Sequence, residues 1–142
     1  MYLYGNISTM GIFNECKTNK DQGNIGLAKA LYELQLLGYR ISIPITENQK
    51  YDLIGDKEDK LYRIQIKTTK YKSRYNIFVV GLRTLGGNQS FHSTKKRKMG
   101  DYDLLYVLTD DNISYLIPDN TFNNVNSIHL NTDMDKYKIL FS

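Results

Sequence analysis

A chain of 142 residues has the size of one domain with one core, and 41% hydrophobic against 24% charged residues excludes a largely disordered chain. No apolar run approaches the roughly 18 residues that a membrane span needs, and the single cysteine, Cys16, excludes an internal disulfide and a multi-cysteine zinc site. The net charge of +4 is modest but unevenly spread: Lys60 to Gly100 holds eleven basic residues and no acidic one, whereas Asp101 onward holds seven aspartates against Lys136 and Lys138.

The N-terminal stretch, Met1 to Ile12, has neither a basic region nor an apolar core, so it does not read as a secretory signal and the expected location is cytoplasmic. Thr18 followed by Asp21 forms a capping-box pattern, Leu27, Leu31 and Leu34 recur at helical spacing, and Gly38 supplies a stop; this predicts a helix over about 20–37. Tyr39 to Ile45 reads as a strand and Tyr51 to Ile54 as a short second one. A turn follows over 55–60, then a third strand over 61–68 and a fourth over 75–82, rich in Ile, Phe and Val. Residues 86–93 read as a loop and 95–98 as a basic run. Residues 104–108 and 113–117 form a hairpin pattern across Asp110, Asp111 and Asn112. The Asn-rich remainder reads as irregular, with a last apolar patch over 137–141. One helix followed by several strands predicts a single α/β domain over 1–142, with a mixed central sheet of about four strands flanked by helices. Its core is expected over about 20–118, between an N-terminal segment 1–17 and a C-terminal segment 119–142.

The third strand alternates strictly, which puts Leu61, Arg63, Gln65 and Lys67 on one face and Tyr62, Ile64 and Ile66 on the other. Pairing it with the strand before brings Asp52 beside Gln65 and Lys67. A carboxylate, an amide oxygen and an ammonium on one surface suit phosphodiester hydrolysis. A hard divalent cation, Mg²⁺ or Mn²⁺, takes oxygen ligands: Asp52 a charged one, Gln65 a neutral one, and the backbone carbonyl of Ile66 a third. Lys67 is then placed to position a water or to steady charge developing on phosphorus. The basic residues Lys70, Lys72, Arg74, Arg83, Lys95, Lys96, Arg97 and Lys98 make the expected phosphate-binding face, against the alternative of a merely solvated basic surface. His92 and His129 have no metal-ligand spacing, and Gly23 and Gly26 lack the context of a phosphate-cradling loop, which leaves close packing or a helix start as their role.

The stretches 38–44, 51–54 and 61–68 together resemble the PD-(D/E)xK nuclease superfamily, in particular its small branch of intron-encoded homing endonucleases and Holliday junction resolvases. The resemblance covers roughly 22–82 and extends more weakly to Pro118. It implies a restriction-endonuclease-like core and a Mg²⁺- or Mn²⁺-dependent endodeoxyribonuclease acting on double-stranded or branched DNA. Asp52 matches the motif's aspartate, Lys67 its lysine, and Gln65 stands at its acidic position. Many relatives place a glutamate after a helix glycine; here Gly26 is followed by Leu27, and Asn24, one turn earlier, is either the replacement oxygen ligand or merely a polar residue of the first turn. A chain this small that cuts both strands is expected to act as a homodimer or homotetramer. The reading from another class is a DNA-binding module that keeps the fold and the basic face without cleaving.

Overall fold

The computed structural model describes residues 11–85, 94–95 and 97–141, with the backbone alone for 84–85 and 94–95. Helix α1 spans Asn19–Leu36. The capping box is reciprocal: the Asp21 amide donates to Thr18 Oγ1 at 3.0 Å, and the Thr18 amide to Asp21 Oδ2 at 3.2 Å. Such a cap is worth about 1 kcal/mol.

Five strands form the main sheet in the order β1 (Arg40–Ser42), β2 (Leu53–Lys57), β3 (Lys60–Thr69), β7 (Leu104–Thr109) and β8 (Ser114–Pro118). The β3–β7 pair is parallel and the others are antiparallel, so the sheet is mixed, as expected, with one strand more than expected. Two small sheets pair β4 (Val79–Gly81) with β9 (Ser127–His129), and β5 (Thr84–Leu85) with β6 (Thr94–Lys95). One-turn and two-turn 3-10 helices cover Asp119–Thr121 and Thr132–Tyr137.

The sheet is buried on both faces. Leu53, Ile64, Tyr106 and Leu108 pack with Phe13, Ala30 and Leu34 under α1. Leu105, Val107, Tyr115 and Ile117 pack on the other side with Val80, Leu82, Phe122, Ile128 and Leu130. Strand β7 therefore contributes alternate residues to two cores, the pattern of a central strand. A buried carboxylate, Glu33, ties α1 to the sheet by accepting from Tyr106 Oη at 2.5 Å and Ser114 Oγ at 2.9 Å.

Three sequence expectations need correction. The turn expected over 55–60 is a tight two-residue turn at Glu58 and Asp59, whose φ angles of 53° and 62° match a type I′ hairpin. Gly55 is not part of it: the residue lies inside β2, where a Cβ would stand 2.8 Å from the Tyr39 ring, so the glycine makes room for the aromatic. The fourth strand expected over 75–82 shrinks to Val79–Gly81 and pairs with β9 outside the main sheet, while Thr69 Oγ1 at the end of β3 donates to the Val79 carbonyl at 2.6 Å. The C-terminal segment is more regular than expected: β9 and the two 3-10 helices place Phe122, Ile128 and Leu130 in the second core.

Candidate active site

Asp52 precedes β2 by one residue, at the point where β2 parts from β3. Its amide still donates to the Ile64 carbonyl at 2.9 Å. The next rung is different: the amide of Ile66 donates to the Asp52 side chain, at 2.8 Å to Oδ2. A carboxylate thus replaces a backbone carbonyl at the open end of the ladder, and this fixes the side chain against β3. The register Leu53↔Ile64 puts Asp52 opposite Gln65, as the hairpin expectation required.

An open groove of about 390 Å³ lies at this point, with Asp52, Gln65, Ile66, Lys67 and Thr68 on its sheet side and Ile43 at its rim. Helix α1 closes the remaining wall with Gly23 and Leu27. The approach of the helix depends on Gly26, where a Cβ would stand 2.4 Å from Thr68 Cγ2. Gln22, one turn earlier, donates from Nε2 to Thr68 Oγ1 at 2.9 Å and fixes the same contact. Neither residue's role was apparent in the sequence beyond the packing reading of Gly26.

Burial in the groove weakens the charged forms of Asp52 and Lys67. Desolvation raises the Asp52 carboxyl above the usual aspartate range, opposed by the Ile66 amide and by Lys67. Desolvation also lowers the Lys67 ammonium, opposed by Asp52. Asp52 is nevertheless exposed on its groove side, so the protein surrounds the carboxylate without sealing it. Lys67 makes no ion pair among the described residues; its Nζ donates to the Arg83 carbonyl at 3.3 Å. Gln65 is buried, and its Nε2 donates to the Ile66 carbonyl at 3.3 Å, which orients the amide and leaves that carbonyl one lone pair.

The donor chemistry fits a hard cation. Asp52 Oδ1, the Gln65 amide oxygen and the Ile66 carbonyl are all oxygens, and Oδ1 has no hydrogen-bond partner among the described residues. No group of three or more His, Cys, Asp or Glu with metal-binding geometry occurs among the described residues. A cation here would rely on one carboxylate.

The structure separates the other expected residues. Asn24 is exposed and does not line the groove; Gly23 and Leu27, spaced four apart, occupy the helix face that does. The oxygen expected from Asn24 is therefore not among the groups that line the groove. Arg97 is also corrected as a phosphate contact. Its side chain is buried, ion-paired with Asp119, and donates to Tyr102 Oη at 3.1 Å and to the carbonyls of Asp119 at 3.0 Å and Asn123 at 2.7 Å. Arg63, on the expected face of β3, is held by Asp103 from Nε at 3.2 Å and Nη2 at 3.1 Å, away from the groove. Lys70, Lys72, Arg74, Arg83 and Lys98 are exposed. Lys96, the side chain of Lys95 and the loop with His92 lie outside the described residues.

A family model described as PD-(D/E)XK endonuclease matches residues 17–138, a span that takes in α1, the whole main sheet and the groove. No curated protein matches the sequence. Among solved structures the chain is similar to the bacterial homing endonuclease I-Ssp6803I, with a TM-score of 0.69 and 22% identity over 85% of this chain and 88% of that one. At that identity the likeness is one of fold. No helix among the described residues is long and apolar enough to cross a membrane.

Proposed function

Because the chain belongs to the PD-(D/E)XK endonuclease family, we propose that it hydrolyses phosphodiester bonds in double-stranded or branched DNA, in a homing or junction-resolving role, with Asp52, Gln65 and Lys67 carrying the chemistry. The observation that carries this reading is the meeting of those three side chains in one groove beside a strand end. Asp52, Gln65 and the Ile66 carbonyl would hold Mg²⁺ or Mn²⁺, which when bound supplies Lewis acidity to the phosphate and a more acidic water. The Ile66 amide keeps the Asp52 carboxylate aimed into the groove. Lys67, anchored on the Arg83 carbonyl, offers its remaining N–H donors to a phosphate oxygen as negative charge develops there. Leu27 and Ile43 supply the apolar part of the groove lining. The exposed Lys70, Lys72, Arg83 and Lys98 supply positive charge for the flanking backbone. Cutting both strands calls for two copies of the site, hence a homodimer or homotetramer.

A second reading has its own observation: Leu27, not a carboxylate, faces the groove from α1, which favours a binding module without cleavage. Incubating purified protein with linear and four-way duplexes, in Mg²⁺, Mn²⁺ or EDTA, separates the two. Nicks that need metal are the expected result. Duplex binding with no cleavage in either metal supports the second reading and overturns the first.

A further inference from the structure

Immediately beyond the strand that carries Gln65 and Lys67, the chain makes a β-hairpin that the cleavage chemistry does not use. Lys72 and Phe78 are bridge partners, and the Val79 amide donates to the Tyr71 carbonyl at 3.0 Å. The tip is tight: the Asn76 amide donates to the Ser73 carbonyl at 2.9 Å, and the Ser73 amide to the Ile77 carbonyl at 2.8 Å. Asn76 takes a φ of 61°, the left-handed position of a three-residue hairpin loop, which asparagine tolerates well. The base is fixed as firmly. Thr69 Oγ1 donates to the Val79 carbonyl and accepts from the Tyr71 amide at 3.2 Å, and the Leu130 amide donates to the Phe78 carbonyl at 2.9 Å.

This rigid ribbon displays an unusual surface. Tyr71 and Tyr75 are 67% and 69% exposed, which leaves both rings open to a partner. Lys70, Lys72 and Arg74 are exposed, and none is ion-paired among the described residues. The Arg74 guanidinium lies 4.8 Å from the Tyr75 ring centroid, which holds the fork at the tip. No acidic residue lies within the hairpin.

We infer that the hairpin around Arg74 and Tyr75 is a sequence-reading element that enters a groove of duplex DNA, apart from the phosphate contacts that hold the cleavage site. This rests on the DNA reading above. A two-stranded ribbon fits the major groove, about 12 Å wide, and a stacked arginine fork is the side chain best shaped for a guanine edge. The charge is complementary to the duplex. Arg74 lies seven positions beyond Lys67, which at about 3.3 Å per residue puts the tip at most about 23 Å away. At about 3.4 Å per base pair, the bases read lie within about seven pairs of the cut.

The test uses binding and not cleavage, so a failure of catalysis cannot imitate a failure of reading. A pool of randomised 30-base-pair duplex, about three helical turns, is retained on the full chain in EDTA at fixed salt and the bound fraction is sequenced. The wild type should enrich a block of positions, and Tyr75→Ala and Arg74→Lys should each lose at least about fivefold of that enrichment. Arg74→Lys keeps the charge, so its salt dependence on unselected duplex should stay as in the wild type. Both residues are exposed, and unchanged melting temperatures confirm that the fold is intact. Enrichment that survives in both variants, or a wild type that retains duplex but enriches nothing, overturns the inference and leaves the hairpin a phosphate clamp or a bystander. A wild type that retains no duplex overturns the DNA reading along with it.

Discussion

Two places in this molecule set a basic side chain beside an aspartate, and they are built in opposite ways. Around Arg97 the guanidinium is saturated with partners. The guanidinium pairs with Asp119, donates to Tyr102 and to main-chain carbonyls, and lies 4.3 Å from the Phe122 ring centroid. The Gly100 amide donates to Asp119 Oδ2 at 2.7 Å. Around Lys67 little is met: one 3.3 Å bond to a carbonyl, with desolvation pressing both it and Asp52 toward neutrality. A satisfied buried pair fixes structure, while an unsatisfied one at a groove has capacity left for a ligand. Residue type alone does not distinguish the two; the number of bonds already made does.

Substitution should split the two neighbourhoods cleanly. Lys67→Ala should lower the cleavage rate by about 10²–10³-fold, the usual cost of removing one charge-stabilising donor, with the melting temperature nearly unchanged because Lys67 holds little else. A rate within a few-fold of wild type would remove Lys67 from the chemistry. Arg97→Ala should do the reverse, costing about 3–5 kcal/mol of stability by leaving Asp119 buried and unpaired. Denaturant titration measures it, and Arg97→Met combined with Asp119→Asn should recover much of the loss. A small effect of Arg97→Ala would show that the buried network is not what holds the segment from Arg97 to Asn123.

The two glycines of α1 sharpen the comparison on the helix side. Gly26→Ala drives a methyl into Thr68 and should cost up to about 2 kcal/mol, overpacking outweighing the gain in helix propensity. Gly23→Ala meets nothing within 4 Å and should stabilise by up to about 1 kcal/mol. Equal melting shifts would mean that α1 does not press on β3 at Gly26. The smallest effect concerns Asp103, whose carboxyl is held below the usual aspartate range first by the Arg63 side-chain hydrogen bond. A depressed native pKa contributes stability above the unfolded value, near 3.8, that is lost as pH falls through the native one. Asp103→Asn should therefore flatten the acid limb of the stability curve below about pH 4, by under about 1 kcal/mol for so exposed a pair. An unchanged acid limb would show that the pair contributes nothing.

Much of this architecture was legible in the residues. The Thr18–Asp21 box located the start of α1, and the alternation of β3 located Gln65 and Lys67, because local hydrogen bonding and a period of two are written directly in sequence. What was hidden depended on tertiary contact. Gly55 looked like a turn because nothing local shows the Tyr39 ring that excludes a side chain there. The turn itself fell on Glu58 and Asp59, which take positive φ without the glycine that usually announces it. Arg97 sat in a basic run and read as solvent-facing, since its partners Asp119 and Asn123 are more than twenty positions away. Gln22 and Glu33 carried no signal, being polar residues on a helix whose bonds to Thr68, Tyr106 and Ser114 span 46 to 81 positions.

The central claim is that Asp52, held by the Ile66 amide at the mouth of the groove, is the one carboxylate on which cleavage turns. The most direct measurement is the metal-dependent cleavage rate of Asp52→Ala against wild type, at equal bound duplex and saturating Mg²⁺. The account predicts a loss of at least about 10²-fold with duplex affinity largely retained. A rate near that of the wild type would contradict it.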